Sequence, residues 1–290
     1  KRFVDLLETQ HLDFVLLSRK SSSIYKTQVY DLEDSDLPLK ILDGIDIVYH
    51  FAGLAHDFSS DKELQSKHNS LNTDATMRLA QLAVSAGVEK FVYISSVKST
   101  LSIEAKIENQ NRNYSDALGS YGLSKRNAEL DLLELQKKSN LVVDIIRPAL
   151  VYGPNMKGNL KALYRLIELG ICPPLPETKN KRSLVHVDDL MNIILAVGEK
   201  RISPGDVYTV TDGNDYSTRQ IYESLLRASG RIVPSWQVPY SFIKFIAFFL
   251  PPLRKNMNKL FGSETYEPSF AKKSAYVIKF CLDNVNEKMF

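Results

Sequence analysis

The residues best placed to do chemistry are Ser96 and the group Tyr121-Gly-Leu-Ser-Lys125. Ser96 closes the apolar run Lys90-Phe-Val-Tyr-Ile-Ser-Ser96, which reads as a buried strand. Tyr121 and Lys125 open the next helical pattern, and residues four apart share one helix face. An ammonium held beside a phenol favours the phenolate, because an opposite charge stabilises the ionised form. At an effective dielectric of about 20 and roughly 4 Å the attraction is ~4 kcal/mol, on the order of three pKa units. The spacing therefore predicts a tyrosine that takes or gives a proton at neutral pH. A serine hydroxyl nearby would hold the same substrate oxygen. Such a set suits the oxidation or reduction of a carbinol.

The chain carries its own control. Tyr240-Ser-Phe-Ile-Lys244 repeats the spacing, and with fourteen tyrosines about one chance copy is expected at ordinary lysine usage. That copy lies in an apolar, proline-bounded stretch with no Ser-Ser strand before it. It is read as accidental.

Placing Ser96, Tyr121 and Lys125 side by side requires strands and helices in alternation. Arg2 to Thr9 reads as the tail of a helix, and strands are predicted over 13–18, 27–31, 45–51, 90–96 and 142–146. Helices are predicted over 72–86, closed by Gly87, and over 121–138. The last strand runs into Arg147-Pro-Ala-Leu-Val-Tyr-Gly-Pro154. This alternation predicts an α/β fold, a doubly wound parallel sheet with helices on both faces. Such sheets bind ligands outside the carboxyl ends of their strands. Arg19, Asp31, Gly53 and Ser96 all stand at or just after those ends. Beyond Pro154 prolines and mixed segments increase, which predicts a smaller lobe over 155–290 interleaved with the last strands of the sheet.

Composition sets limits on partners. A net charge of +3 with acids and bases interleaved gives no reason to expect nucleic acid. Cys172 and Cys281 sit in unrelated contexts, which predicts neither a disulfide framework nor a metal site and fits the cytoplasm. The five histidines show no metal-ligand spacing. No stretch reaches the ~20 apolar residues of a membrane span. The run over 242–253 is interrupted by Lys244 and stopped by Pro251-Pro252. Its expected role is a buried helix of the smaller lobe or part of a homodimer surface. The alternative is a peripheral membrane contact, with Arg254, Lys255 and Lys259 at lipid headgroups.

Ser96, Tyr121-x-x-x-Lys125, the Arg147-Pro-x-x-Val-Tyr-Gly-Pro154 segment and the Arg182-x-x-Val-His-Val-Asp-Asp189 segment together resemble the extended short-chain dehydrogenase/reductases. Within them the chain is similar to the NAD(P)-dependent epimerase/dehydratase branch, which remodels nucleotide-activated sugars. The resemblance implies a Rossmann-like domain over 1–154 that binds NAD or NADP, and a substrate lobe over 155–290. That family opens with a strand and a Gly-x-x-Gly-x-x-Gly turn, whereas this sequence starts inside the following helix. The expected sheet therefore lacks its first strand and glycine turn. A fragment is the favoured explanation, and poor dinucleotide binding by this polypeptide is expected.

The resemblance also implies roles. Tyr121 would be the acid/base, Lys125 its partner and a cofactor-ribose ligand, and Ser96 the hydroxyl on the sugar oxygen. Arg19 would read the adenosine ribose, where a guanidinium suits a 2′-phosphate and NADP. Asp31 and Leu32 would meet the adenine. Phe51-Ala52-Gly53 would form the turn beneath the cofactor, Asn72 would be the family's helix asparagine or a plain N-cap, and Pro148 would line the nicotinamide. Asn159 and Arg182 would hold the nucleotide and its diphosphate. His186 is expected to pack or cap, and Asp188-Asp189 to cap the next helix.

The family's 4,6-dehydratases carry an acidic pair where this chain has Val97-Lys98 after Ser96, so dehydration is disfavoured. A UDP-hexose 4-epimerase and an NADPH-dependent 4-keto-sugar reductase remain, both found in surface-polysaccharide clusters. The epimerase is the adopted reading. A non-catalytic binding module of the same fold is the alternative from another class.

Overall fold

Each apolar run becomes a short parallel strand, ending where polar or small residues begin. The computed structural model describes residues 1–33, 37–54, 62–103, 114–199, 205–249, 251, 254, 257, 260–274 and 276–282. Strands β1 (Leu16–Ser18) and β2 (Thr27–Val29) pair in parallel. The main sheet has the order β3 (Ile47–His50), β4 (Lys90–Ile94), β5 (Val142–Pro148), β8 (Val207–Val210), every pair parallel. A third sheet joins β6 (Leu150–Tyr152), β7 (Arg182–His186) and β9 (Asp215–Tyr216), with only the β7–β9 pair antiparallel.

Successive side chains of the central strands β4 and β5 point to opposite faces and are mostly buried, so both faces are covered. Phe91, Tyr93, Val143 and Ile145 pack with Leu79, Ala80, Ala128 and Leu132 of helices α3 (Ala75–Ser85) and α4 (Tyr114–Lys138). Val92 and Ile146 point the other way, to Phe3 and Leu7 of α1 (Arg2–Thr9) and Ile193, Ile194 and Val197 of α6 (Val187–Gly198). Helices α5 (Gly158–Glu168) and α7 (Thr218–Ala228) close a further core over the third sheet through Leu160, Ile167, Ile221 and Leu225. Between β4 and β5, Lys90 and Asp144 form a fully buried ion pair at 3.0 Å. Lys90 also donates to the Val197 carbonyl (2.7 Å), and Asp144 accepts from the amides of Gly205 and Asp206. Those added hydrogen bonds are what such a pair needs to offset its desolvation.

Three expectations are corrected and one, the His186 cap, is met. Helix α2 (Lys62–His68) and a π-turn (Asn69–Asp74) precede α3, so Asn72 is no N-cap but lies inside the turn with its side chain buried. The cap of α6 is His186, whose Nδ1 accepts from the Asp188 amide at 3.2 Å. Asp188 instead pairs with Arg2, and Asp189 accepts from the Tyr276 hydroxyl and the amides of Lys279 and Phe280. The third correction concerns helix α8 (Tyr240–Phe249): Ala247 faces inward, but Phe242, Phe245, Phe248 and Phe249 are exposed, so the buried-helix reading fails on that face. Residues 250, 252 and 253 of that run, and Lys255 and Lys259, lie outside the described residues.

Candidate active site

Parallel pairing brings the carboxyl ends of β3, β4 and β5 to one rim. After β4, Ser96 caps a short 3₁₀ turn (Val97–Ser99), its Oγ accepting from the Lys98 amide at 3.1 Å. The same hydroxyl lies near enough to the Tyr121 phenol to favour its ionised form. Helix α4 breaks at Gly119, where φ is +66°, and continues through Tyr121; that left-handed conformation is cheap only for glycine. Gly122 sets the distance between helix and turn. A Cβ there would lie 2.2 Å from the Lys98 carbonyl oxygen, so the close approach of Tyr121 to Ser96 requires a residue without a side chain.

Lys125 is buried one turn further on. Its Nζ donates to the Ile94 carbonyl at 3.1 Å and stands 4.7 Å over the Tyr93 ring. The turn after β3 covers it: a Cβ on Gly53 would meet Lys125 Nζ at 3.1 Å and Asn72 Oδ1 at 2.7 Å. Asn72 fastens that turn, accepting from the Leu54 amide (2.7 Å) and donating to the Leu54 carbonyl (3.1 Å) and Ser124 Oγ (3.0 Å). A π-turn is what points its amide inward, and such turns recur at functional sites. The His68 ring stands 5.8 Å from that of Tyr121.

The electrostatics differ from the lowered phenol pKa that the spacing predicts. Burial pushes the Tyr121 phenol above its ordinary value, and the opposing influence is the Ser96 hydroxyl. The ammonium is turned to Ile94 instead. Burial in turn depresses Lys125 to about 8, with the Glu129 carboxylate working against the fall. His50, in the strand behind, is held neutral: burial and then the Lys125 charge lower it to about 3, and its Nε2 meets Thr76 Oγ1 at 2.9 Å.

Glu129 is the residue that sequence reasoning missed. It lies one turn beyond Lys125 and is fully buried. Oε1 accepts from Ser95 Oγ (2.6 Å), Ser99 Oγ (2.7 Å) and Arg147 Nε (2.8 Å), and Oε2 from Arg147 (2.5 Å) and Arg126 (3.4 Å). One carboxylate thus joins the helix bearing Tyr121, the turn bearing Ser96 and the end of β5 bearing Pro148. Its place eight residues after Tyr121 on the same helical pattern was the available signal.

Ser96, Tyr121, Lys125, Gly53 and Asn72 are therefore brought together. Arg182 reaches the edge of this group through Glu264, which pairs with Lys98 and bears on Arg182 electrostatically. Pro148 follows Arg147 at the end of β5. Phe51 faces α1, its ring 5.0 Å from that of Phe3, and Ala52 is exposed beside it. Asp31 accepts from the Glu33 amide (3.0 Å), and the Leu32 carbonyl accepts from Arg78 (2.7 Å). Arg19 and Asn159 are exposed, and among the described residues no hydrogen bond or ion pair ties either to the group. No cluster of metal-ligating side chains occurs among the described residues.

The model of the NAD dependent epimerase/dehydratase family matches residues 1–211. A UDP-glucose 4-epimerase of Vibrio cholerae is 38% identical over 216 residues, covering 71% of this chain and 62% of its own length. An N-acetyl-alpha-D-glucosaminyl-diphospho-ditrans,octacis-undecaprenol 4-epimerase of Escherichia coli O157:H7 is 26% identical, covering 95% of this chain and 81% of its own. Among solved structures, UDP-glucose 4-epimerase of Thermotoga maritima with UDP-glucose superposes with a TM-score of 0.72 at 16% identity, over 99% of this chain and 93% of that one. MoeE5 in complex with UDP-glucuronic acid and NAD gives 0.72 at 19% identity, over 97% and 90%. At these identities the superpositions show the shared Rossmann-like α/β fold.

Proposed function

This chain belongs to the NAD dependent epimerase/dehydratase family, and we propose that the full-length protein is a 4-epimerase of diphosphate-linked sugars. The observation that carries the reading is the close approach of the Tyr121 helix to the Ser96 turn, which leaves no room for a Cβ on Gly122, beside a buried lysine at the carboxyl rim of the sheet. Tyr121 takes the proton of the sugar C4 hydroxyl and later returns one. Ser96 holds that oxygen in line with the phenol. Lys125 balances the charge that develops on the phenolate, in a site where burial makes an uncompensated charge costly. Arg182 suits the diphosphate, because a guanidinium matches phosphate oxygens in pairs.

The residues present fit a nicotinamide dinucleotide. Gly53 lets the turn after β3 approach Lys125 and Asn72 more closely than any side chain would allow, and the bond to Ile94 uses one of the three Lys125 N–H donors. Lys125, Gly53, Asn72 and Pro148 would hold the nicotinamide end; Arg19, Asp31 and Leu32 would hold the adenosine end, with Arg19 suited to a 2′-phosphate. Bound there, NAD(P) supplies the hydride acceptor and donor at C4. The V. cholerae relative is named for UDP-glucose and the E. coli relative for a polyprenol-linked sugar; both names place epimerisation at C4.

The test offers UDP-glucose, UDP-N-acetylglucosamine and N-acetylglucosaminyl-diphospho-undecaprenol to the full-length protein with catalytic NAD. A C4 epimer, identified by NMR, with no net change in nicotinamide absorbance is expected from at least one. Stoichiometric NADPH oxidation with a UDP-4-keto-6-deoxy sugar, and no epimer from the others, would replace this reading with a reductase. A 4-keto-6-deoxy product would show dehydration and refute it.

A further inference from the structure

Surface helices of water-soluble domains ordinarily turn polar residues outward. Helix α8 does not. Ile243 and Ile246 are half-buried and Ala247 is buried on its inner side, while the outer side carries Phe242 (53% exposed), Phe245 (62%), Phe248 (71%) and Phe249 (63%). The rings pack on one another, Phe245–Phe249 and Phe248–Phe249 both at 5.2 Å between centroids. Trp236, shortly before the helix, is 61% exposed. Contiguous apolar surface of this kind marks an interaction site.

The charge around it names the partner. Residues 224–263 contain Arg227, Arg231, Lys244, Arg254, Lys255 and Lys259 and no Asp or Glu, with Arg227 paired to Glu223 just outside the stretch, in a chain whose overall net charge is only +3. Lys244 and Arg254 are exposed, and the Lys244 ammonium stands over the Tyr240 ring, 4.7 Å from its centroid, clear of any carboxylate in its own stretch. A protein partner with an apolar groove would explain the phenylalanines but not a forty-residue stretch cleared of acids. Aromatic residues at the acyl boundary with bases at anionic headgroups is the pattern of an interfacial helix. No described helix is long and apolar enough to cross a bilayer.

We infer that the outer face of α8, with Trp236, Lys244 and Arg254, docks the protein on an anionic phospholipid surface. The contact lies on its own element, apart from Tyr121 and Lys125, and stands or falls separately from the catalytic reading. The full-length protein is mixed with vesicles of phosphatidylglycerol and phosphatidylcholine at equal proportions, or of phosphatidylcholine alone, and separated by flotation. Emission of Trp236, the chain's one tryptophan, is followed in parallel.

Binding to the anionic vesicles with a blue shift is expected, weakening as salt is raised and much weaker on phosphatidylcholine. Phe245→Glu with Phe248→Glu should cut the bound fraction by about tenfold or more, and Lys244→Gln with Arg254→Gln by roughly tenfold on anionic vesicles, with far-UV circular dichroism unchanged. Wild-type protein that stays unbound, or glutamate variants that float as well as wild type, would overturn the inference. So would equal binding to both vesicle types. Loss of a dimer in ultracentrifugation with vesicle binding retained would assign the phenylalanines to a second copy of the chain and refute it too.

Discussion

In the first Tyr-x-x-x-Lys copy the ammonium of Lys125 is buried under the Gly53 turn and bonded to the Ile94 carbonyl. In the second, the ammonium of Lys244 lies on the ring face of its own tyrosine, 4.7 Å from the centroid, on an exposed helix. Tyr121 finds a serine hydroxyl, whereas Tyr240 finds the edge of Phe261, ring to ring at 5.2 Å. Helical spacing delivers adjacency in both cases. What sets the first copy apart is supplied by other segments: a strand end that presents Ser96, a glycine turn that covers the lysine, and burial that moves both pKa values.

The sharpest test of this contrast is removal of the two phenol hydroxyls. Tyr121→Phe should lower kcat of the full-length enzyme by ~10²–10⁴, the usual worth of a positioned acid/base, while Tyr240→Phe changes it by less than about twofold, as surface changes do. Steady-state rates on the accepted sugar would decide, and equal losses would break the contrast.

Gly122→Ala attacks the approach of helix to turn. The new Cβ would lie 2.2 Å from the Lys98 carbonyl oxygen, so α4 must move away from Ser96. A displacement near 1 Å can cost about 10²-fold, and the loss should fall mainly on kcat, with the fold retained by circular dichroism. An unimpaired Gly122→Ala enzyme would show that the Ser96–Tyr121 contact is not rate-determining.

Removing the charge of Glu129 sharpens the contrast through pH. Lys125 has its pKa lowered to about 8, so its cation is present below that pH and lost above it. Activity that depends on the cation should therefore fall as pH rises through about 8. Glu129 opposes that lowering. Glu129→Gln should move the alkaline limb of kcat/KM to lower pH. It should also cost about 3–5 kcal/mol of stability, since Arg147 then loses its buried partner. A lower melting temperature with an unmoved alkaline limb would leave Glu129 a purely structural tie. The smallest effect belongs to Lys244→Met, which should leave the pH profile of activity where it was, because that ammonium touches no part of the site.

The residues themselves determined much of this. Helix periodicity puts positions 121 and 125 on one face in any surroundings, and alternation of strand and helix patterns sufficed for a parallel sheet with Ser96 at a strand end. The positions of β3, β4 and β5 were legible to within a few residues, because their apolar runs are buried on both faces. Helix α2 was not, since its last turn, Lys67 and His68, runs straight into a π-turn that blurs the periodicity.

Only the tertiary structure decided the electrostatics. A pKa depends on desolvation and on charges far away in sequence, so spacing alone gave the wrong sign for Tyr121, which burial raises. The partners of Glu129 come from Ser95, Ser99, Arg126 and Arg147, and no local pattern brings those four to one carboxylate. The outward face of α8 was equally hidden, because an apolar helix reads the same whether the core covers both of its sides or only one. Local geometry is written in the spacing of residues; burial and charge partners are properties of the whole packed chain.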